Sequence, residues 1–368
     1  MKQDIVVIGA GIIGLATAER LLARGANVTV LERNQAGQES SWAGGGILSP
    51  LLPWDYSDYV TQLTSYSAKQ FPAWVSALQE VSGIDSEYEI SGMLILPPYD
   101  LEIAKQWCAV RGIEIEQPTV PNIFSIGKKF GSDRMKTQDR SLFLPNIAQV
   151  RNPRLLRALI SRVLQLGGRI IENCAAYYFN SSHQQIQSLT SSCGEFVADY
   201  YIVSAGAWSK EVLGVHALQL DIKPIKGQML LFKFNIPPVS NIVVRNDFYI
   251  IPRRDGHVLI GSTLEDVGFD KQTTVSAFNQ LLRHAYDILP SLHMMPIKQH
   301  WSGLRPASSK NIPTIGWHPV IRNLLINSGH YRYGVTMAPA SAEILVNEMT
   351  GATQPFDISP YQAGWEIN

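Results

Sequence analysis

The chain contains 368 residues, a length that predicts two domains with a large buried core. Its 31 Lys and Arg residues balance 31 Asp and Glu residues, and a formal net charge of zero argues against a protein that binds nucleic acids by neutralising phosphates. The three cysteines, Cys108, Cys174 and Cys193, form no CxxC pair, which argues against a disulfide framework or a structural zinc site and makes the reducing cytoplasm the expected compartment.

The N-terminal segment predicts a strand, a glycine turn, a helix and a second strand in succession. Residues 4–8 are a β-branched run typical of a strand buried on both faces, and the sequence Gly9-Ala-Gly11-Ile-Ile-Gly14 follows directly. Residues 15–24 predict a helix, and residues 27–31 predict a second buried strand that ends at Glu32. The apolar part of this segment is too short to span a membrane, and no longer apolar run occurs.

This unit matches the fingerprint of a dinucleotide site. Gly9 allows the tight turn, Gly11 lets the backbone approach a pyrophosphate, and Gly14 lets the helix pack close to the strand. The helix N terminus offers free N–H groups to phosphates, and Glu32 is placed to accept hydrogen bonds from a ribose. An ordinary glycine-rich turn is the alternative. The motif alone does not distinguish NAD from FAD.

A glycine- and hydroxyl-rich segment follows at residues 40–48. Ser40 and Ser41 can donate to phosphate oxygens, and the three glycines at 44–46 permit backbone contact with a flat ring. A flexible linker is the alternative, but Trp42 and the apolar pair at 47–48 indicate an ordered loop against the cofactor.

The C-terminal part repeats the pattern of strand, glycine turn and helix. A strand is predicted at 323–327, a turn rich in glycine and aromatic residues at 328–334, and a helix at 335–349. A second helix N terminus placed here would direct partial positive charge at the other end of the cofactor.

Arg305 lies in the segment Trp301-Ser-Gly-Leu-Arg-Pro306, between a tryptophan and an apolar stretch. An arginine is expensive to bury unless it meets an anion, and its planar guanidinium pairs bidentately with a carboxylate. The sequence therefore predicts an anion partner for Arg305. That partner is a substrate carboxylate or, in the alternative interpretation, a structural Asp or Glu.

Together with Asp199-Tyr-Tyr-Ile-Val-Ser-Ala-Gly-Ala-Trp-Ser209, these motifs resemble the D-amino-acid oxidase superfamily of FAD-dependent amine oxidoreductases. Within it they are most similar to the bacterial glycine oxidases of thiamine biosynthesis. The resemblance covers nearly the whole chain, and its segments at 303–306, 313–316 and 329–334 are more specific than the first glycine motif. It implies FAD as cofactor. A covalent link is not expected, because no cysteine follows Cys193.

The resemblance also implies roles for individual residues. Arg305 would bind the substrate carboxylate, the Tyr249 hydroxyl would meet the same group, and Arg332 would be a second arginine near it. The expected cofactor contacts are Gly9, Gly11, Ile12, Ile13, Gly14, Glu32, Arg33, Ser40, Ser41, Gly45, Gly46, Ile47, Ala176, Gly206, His330, Tyr331, Arg332, Tyr333, Gly334, Val335 and Thr336. For Tyr249 and Arg332, packed structural roles are the alternative.

Three residues depart from the family pattern near the expected site. Asp247 stands where glycine oxidases have a histidine, and Leu264 and Ile47 stand at methionine positions. These changes leave the expected carboxylate contacts intact, but they alter the surroundings of the substrate amine and side chain.

The expected fold class is α/β, with two domains. A discontinuous Rossmann-type FAD-binding domain of the glutathione-reductase kind would comprise residues 1–84, 146–217 and 301–368. A smaller α+β substrate domain would comprise residues 85–145 and 218–300, with an antiparallel sheet built from short strands such as 93–96, 228–234, 247–252 and 257–261.

The function that follows is oxidative deamination of glycine or a small N-substituted or D-amino acid. Hydride transfer to FAD would yield an oxoacid, ammonia or an amine, and, with oxygen, hydrogen peroxide. The alternatives are a D-amino-acid dehydrogenase that reduces quinone, a flavin-dependent tRNA-modifying oxidase and a non-catalytic flavin carrier. The eight histidines show no metal spacing, and no metal, nucleic-acid or membrane partner is expected. A charged fraction of only 17% favours a homo-oligomer.

Overall fold

The computed structural model describes residues 2–118 and 140–365. Its strands are β1 Asp4–Ile8, β2 Asn27–Leu31, β3 Glu89–Ile90, β4 Met93–Leu96, β5 Leu142–Leu144, β6 Ala148–Gln149, β7 Arg169–Ile171, β8 Ala176–Ser182, β9 Gln185–Ser191, β10 Gly194–Phe196, β11 Tyr200–Val203, β12 Ile222–Lys233, β13 Ile242–Arg245, β14 Phe248–Pro252, β15 His257–Gly261, β16 Ile297–Ser308, β17 Thr314–Trp317 and β18 Leu324–Ser328. Its α-helices are α1 Ile12–Ala23, α2 Ser40–Ala43, α3 Asp58–Ser82, α4 Leu101–Arg111, α5 Asn152–Gln165, α6 Ser209–Leu213, α7 Val275–Ile288, α8 Gly334–Thr350 and α9 Ser359–Gln362. Parts of the predicted domain segments, at 119–139 and 366–368, lie outside the described residues.

The first large sheet has six strands in the order β17-β18-β11-β1-β2-β7. Strands β18, β11, β1, β2 and β7 are parallel, and β17 pairs antiparallel with β18 at one edge. The carboxyl ends of β1, β2, β11 and β18 therefore lie at one edge of the sheet. Ligands of such sheets bind in the crevice outside the carboxyl ends of the strands.

Both faces of this sheet are buried. In β1, Ile5 and Val7 pack into the core formed with helices α1, α3, α5 and α8, whereas Val6 and Ile8 pack into a second core on the opposite face. Strands β8, β9 and β10 form a small antiparallel sheet that contributes to this second core. Because successive side chains of a strand point to opposite faces, a continuous β-branched run satisfies both cores.

The second large sheet has seven strands in the order β16-β12-β15-β14-β13-β4-β5. The sequence predicted an antiparallel sheet here, and this prediction is wrong at one pair, because β13 and β4 run parallel. These two strands are far apart in the chain and are not joined by a hairpin, so nothing local imposes the antiparallel direction. Strands β12 and β16 are the longest, at 12 residues each, and they pair along most of their length.

Two further observations concern individual elements. The segment predicted as a loop at residues 40–48 begins with the short helix α2. None of the helices within residues 2–118 and 140–365 combines the length and the apolarity required to cross a bilayer.

Candidate functional site

A continuous cavity of about 550 Å³ lies between the carboxyl edge of the six-stranded sheet and the seven-stranded sheet. Every predicted cofactor and substrate residue lines it except Gly14, which lies behind the wall. The structure thus gathers residues from both ends of the chain and from its middle around one space. Leu264, expected near the site, does not line the cavity and is 54% exposed.

The turn after β1 brings two backbone segments into direct contact. Gly9 has a φ of +107°, and a Cβ atom there would lie 2.4 Å from the carbonyl oxygen of Ser204. A Cβ atom at Gly14 would lie 1.9 Å from the carbonyl oxygen of Gly9, so α1 packs directly against the turn. Only glycine fits at these two positions, which places the α1 N terminus at the cavity.

Two side chains fix this end of the cavity. The Ser41 Oγ accepts a hydrogen bond from the backbone N–H of Ile12 at 2.9 Å, so its own hydroxyl proton remains free to donate to a ligand. The buried Glu32 carboxylate accepts from the backbone N–H groups of Ala10 at 2.9 Å and Asn34 at 3.1 Å. Each carboxylate oxygen keeps a further lone pair for a ligand hydroxyl.

Four residues of the cavity wall carry buried oxygen atoms without a hydrogen-bond partner among the described residues. These are Asn152 Oδ1, Ser204 Oγ, Asn327 Oδ1 and Tyr333 Oη. A buried polar atom is costly unless a partner satisfies it. The wall therefore fits a ligand that carries many polar groups.

The N terminus of α8 opens into the opposite end of the cavity. Tyr333, which precedes the helix, provides no side-chain cap to the free N–H groups of the first turn. Thr336 donates from Oγ1 to the carbonyl oxygen of Ile47 at 3.1 Å, which joins this turn to the glycine-rich segment after α2. The exposed N–H groups and the helix dipole give this wall a partial positive charge.

His330 is buried in the same wall and is electrically neutral. Its Nε2 lies 2.9 Å from the Ser341 Oγ, and burial lowers the pKa of His330 to about 3. Burial also raises the pKa values of Tyr331 and Tyr333. None of these side chains is therefore poised to remove a proton near neutral pH.

Arg305 extends into the cavity from β16. Its Nη2 donates to the Ser262 Oγ at 2.6 Å and its Nη1 donates to the carbonyl oxygen of Thr263 at 3.2 Å. Burial lowers the pKa of Arg305, and the neighbouring Tyr249 opposes that shift. Among the described residues no Asp or Glu forms an ion pair with Arg305, so the structural ion pair considered as an alternative is absent from that part of the chain.

Tyr249 and Gly227 shape the space around this guanidinium. The Tyr249 hydroxyl lies 3.7 Å from the Met229 Sδ, and both side chains belong to an apolar cluster with Leu51 and Ile47. A Cβ atom at Gly227 would lie 2.1 Å from the Arg305 Nη2. The absence of a side chain at Gly227 thus creates the place that the guanidinium occupies.

Arg332 also lines the cavity, but its charge is already paired. Its guanidinium donates to the Oδ1 of Asp247. The Arg332 side chain is 10% exposed and that of Asp247 is 67% exposed, so the pair lies at the solvent boundary. Burial opposes the charged form, yet Tyr333, Tyr56 and Asp247 together raise the pKa of Arg332.

Sequence reasoning missed several residues of the wall. The missed residues that contribute polar atoms or space include Glu39, Asn152, Trp208, Gly227, Ser262 and Asn327. Trp208 and Asn327 could have been found from the sequence, because they lie in the 199–209 motif and in the strand predicted at 323–327. The other four come from segments without a motif, and only the fold brings them to the cavity.

Comparison with known proteins identifies the family. A family model described as DAO, FAD dependent oxidoreductase, matches residues 4–348. The chain belongs to this family. A glycine oxidase from Pseudomonas aeruginosa is 38% identical over 362 residues, which cover 98% of both chains. The protein is therefore a FAD-dependent oxidoreductase of the glycine oxidase type, and FAD is its cofactor.

Solved structures of family members share the fold. A glycine oxidase from Geobacillus kaustophilus superposes with a TM-score of 0.91 over 100% of both chains, at 24% identity. An iminodiacetate oxidase from Chelativorans sp. BNC1 superposes with a TM-score of 0.85 over 97% of this chain and 98% of its own, at 23% identity. The mixed α/β architecture is thus that of the FAD-dependent oxidoreductase family.

Proposed function

We propose that this protein oxidises the carbon–nitrogen bond of glycine or a similarly small amino acid, with oxygen as the electron acceptor. The products are an oxoacid, ammonia or an amine, and hydrogen peroxide. The observation that carries this proposal is Arg305, an arginine at the cavity with two neutral hydrogen-bond partners and no carboxylate partner among the described residues. A substrate carboxylate supplies the missing anion.

The charge inventory favours a substrate with one carboxylate. Three arginines line the cavity, and two of them are paired, Arg33 with Glu39 at 3.2 Å and Arg332 with Asp247. Within residues 2–118 and 140–365, only Arg305 remains for a ligand anion at the end of the cavity beside Tyr249. A second carboxylate, as in the iminodiacetate named for one structural relative, would have to compete with Asp247 for Arg332.

The apolar surroundings favour a substrate without a charged side chain. Ile47, Leu51, Met229 and Tyr249 belong to one packed cluster at the Arg305 end of the cavity. Such a wall offers dispersion contacts and no polar partner except the Tyr249 hydroxyl, which is placed to donate to the same carboxylate as Arg305. A charged substrate side chain would leave polar groups unsatisfied against this wall.

We place the ADP half of FAD along the α1 N terminus, with its ribose at Glu32. The flavin half lies between Gly45–Ile47 and the segment 330–336, where the α8 N terminus meets the cavity. The positions of Cys174 and Cys193 agree with FAD that is bound without a covalent link to a cysteine. Cys174 lies beside Glu32, where burial raises its thiol pKa, and exposed Cys193 does not line the cavity.

The described side chains act by binding and orientation. FAD, when bound, accepts the two electrons that leave the carbon–nitrogen bond. Arg305 and Tyr249 hold the carboxylate and thereby fix the α-carbon, and Ser262 and Thr263 hold Arg305 in turn. Burial lowers the pKa of His330 to about 3, so this histidine is a weak base for the α-proton, which favours departure of that hydrogen as hydride.

An oxygen-uptake assay against a panel of amines tests the proposal. Purified holoenzyme should consume oxygen and release an equimolar amount of hydrogen peroxide with glycine, sarcosine or D-alanine. Iminodiacetate should be a poorer substrate. Negligible oxygen uptake together with rapid reduction of a quinone would instead establish a dehydrogenase and overturn the oxidase assignment.

A further inference from the structure

A connection that leaves the seven-stranded sheet contacts two residues of the cavity wall, Glu39 and Trp208. This segment, residues 264–274, connects β15 to α7 and starts directly after Ser262 and Thr263, which hold Arg305. We call it the clasp. The clasp therefore begins beside the arginine proposed to bind the carboxylate. It also contacts the cavity wall beside the proposed ADP half of FAD.

The clasp is anchored firmly on its own sheet. Lys226 of β12 has a side chain only 1% exposed, and its Nζ donates to the Asp270 Oδ2 at 2.9 Å and to the carbonyl oxygen of Gln272 at 3.0 Å. The backbone N–H of Lys226 donates to the carbonyl oxygen of Glu265 at 2.9 Å. These contacts fix the path of the clasp. If the clasp moved away, the buried ammonium of Lys226 would lose its partners Asp270 and Gln272.

Next to this anchor, Lys271 forms an ion pair with Glu39, a residue of the cavity wall. Its Nζ donates to both carboxylate oxygens of Glu39, at 2.9 and 3.1 Å. Glu39 also receives a hydrogen bond from Arg33, and both residues line the cavity immediately beside Glu32. Burial opposes ionisation of Glu39, but Lys271 and Arg33 together lower its pKa, so the carboxylate is charged when they contact it.

A ring stack parallels this ion pair. Phe269 of the clasp stacks on Trp208 with ring centroids 5.6 Å apart and an interplanar angle of 26°. The guanidinium carbon of Arg33 lies 3.4 Å from the centroid of the same Trp208 ring. Trp208 and Arg33 line the cavity, whereas Phe269 covers them from outside and is 40% exposed.

We propose that the clasp is part of the FAD site and that its contacts through Lys271 and Phe269 hold the ADP half of the cofactor in place, slowing its release. This inference rests on the placement of the ADP half beside Glu32. For FAD to leave past Arg33, Glu39 and Trp208, the Lys271–Glu39 ion pair and the Phe269–Trp208 stack have to separate. The clasp thus adds to the barrier for dissociation without contacting the reacting atoms.

The test measures FAD release from holoenzyme, transferred rapidly into FAD-free buffer, by the rise in free-flavin fluorescence. A partly exposed ion pair contributes only modestly to stability, so Lys271→Ala should release FAD roughly 3-fold faster. Loss of a ring stack is worth about as much again, so Phe269→Ala should accelerate release about 3- to 10-fold. Lys271→Glu combined with Phe269→Ala should accelerate it by about 10-fold or more.

Controls separate the clasp from general loss of stability. Lys271→Arg keeps the charge and should release FAD at nearly the wild-type rate. Lys105→Glu disrupts the Lys105–Glu102 pair, which lies on α4 away from the cavity, and its side chain is 47% exposed against 44% for Lys271. Wild-type release should accelerate with added salt, whereas release from Lys271→Ala should depend less on salt.

A release rate within twofold of wild type in the Lys271→Glu, Phe269→Ala double variant would overturn the proposal. So would equal acceleration by Lys105→Glu. Both results are distinguishable from failure of the proposed function, because FAD bound by the wild-type protein is observed directly and no step of the assay requires an amine substrate.

Discussion

At the scale of single residues, the position of Arg305 depends on the absence of a side chain at Gly227. Strands β12 and β16 pair Gly227 with Gly303, two residues along β12 from the pair of Ile225 with Arg305. The Arg305 guanidinium lies over Gly227, and an added methyl group would have to displace it. The end of a long side chain moves more readily than a backbone, so the fold can tolerate this change while the substrate contact cannot.

Gly227→Ala should therefore raise KM for the amino-acid substrate by about tenfold, as expected for loss of roughly 1.5 kcal/mol of a charged hydrogen bond. The melting temperature and FAD content should remain near wild type. Steady-state kinetics and a thermal melt on the same preparation check both expectations. An unchanged KM would show that the substrate carboxylate does not bind where Arg305 now lies.

The Arg332–Asp247 pair makes a prediction about substrate charge. Asp247→Asn removes the negative charge that occupies Arg332, so a second carboxylate should bind more readily. The ratio of kcat/KM for iminodiacetate to that for glycine should rise about 5-fold, corresponding to roughly 1 kcal/mol.

A matched control for this variant is Asp58→Asn. Asp58 pairs with Arg111, its side chain is 82% exposed, and it does not line the cavity. This substitution should leave the ratio unchanged. If Asp247→Asn also leaves the ratio unchanged, Arg332 does not face the substrate.

Neutral, buried His330 predicts a pH dependence of stability. Its pKa is about 3 in the folded protein and 6.5 as the ordinary value, so between these pH values only the unfolded chain binds the proton. Stability is therefore fully present above pH 6.5 and is lost as pH falls toward 3. Between pH 7 and pH 5 the loss due to this residue is about 2 kcal/mol.

His330→Gln should shrink the wild-type difference in unfolding free energy between pH 7 and pH 5 by about 2 kcal/mol. Chemical denaturation at both pH values, with the same FAD concentration, measures the difference. His284→Gln, at an exposed position, serves as the control and should not change it. An equal pH dependence in His330→Gln and wild type would contradict a neutral His330 in the folded state.

At the scale of elements, α1 and α8 approach one cavity from two directions. The α1 N terminus is brought there by the glycine turn after β1, and the α8 N terminus follows the turn after β18. Each helix leaves uncapped backbone N–H groups in the wall. Two partial positive charges at the two ends of the cavity suit the phosphates at one end and a reduced, anionic flavin at the other.

The α8 dipole predicts how bound FAD reacts with an anionic nucleophile. Because positive potential beside the ring stabilises added negative charge, millimolar sulfite should bleach the long-wavelength flavin absorbance of the holoenzyme. Sulfate at the same concentration controls for ionic strength and should cause no bleaching. Persistence of the absorbance in sulfite would place the α8 N terminus away from the flavin.

At the scale of the whole molecule, the sequence predicted the local segments of the cavity wall. It did not predict contacts between residues that are far apart in the chain. The β-branched runs and glycine turns of β1, β11 and β18 carry their structure in short segments, and the structure places them where the motifs indicate. Gly227 and the Lys271–Glu39 contact carry no such signal, because their partners lie far away in the chain. The parallel pairing of β4 with β13 was missed for the same reason.

The cavity forms only where the two large sheets meet. Both sheets contribute charged residues to its wall. Arg33, Glu39 and the α1 N terminus come from the side of the six-stranded sheet, whereas Arg305 and Tyr249 come from the seven-stranded sheet. Cofactor binding and substrate binding therefore depend on different parts of the fold. A variant at Arg305 should impair the second and preserve the first.

Anaerobic mixing of holoenzyme with glycine, followed through the flavin absorbance, tests this account most directly. Wild-type enzyme should be bleached by glycine. Arg305→Leu should retain its FAD but bleach at least about 100-fold more slowly, because an unpaired substrate carboxylate costs roughly 3–5 kcal/mol. Arg332→Leu should have a smaller effect, because the Arg332 guanidinium already forms an ion pair with Asp247. Wild-type bleaching rates in Arg305→Leu would contradict the account.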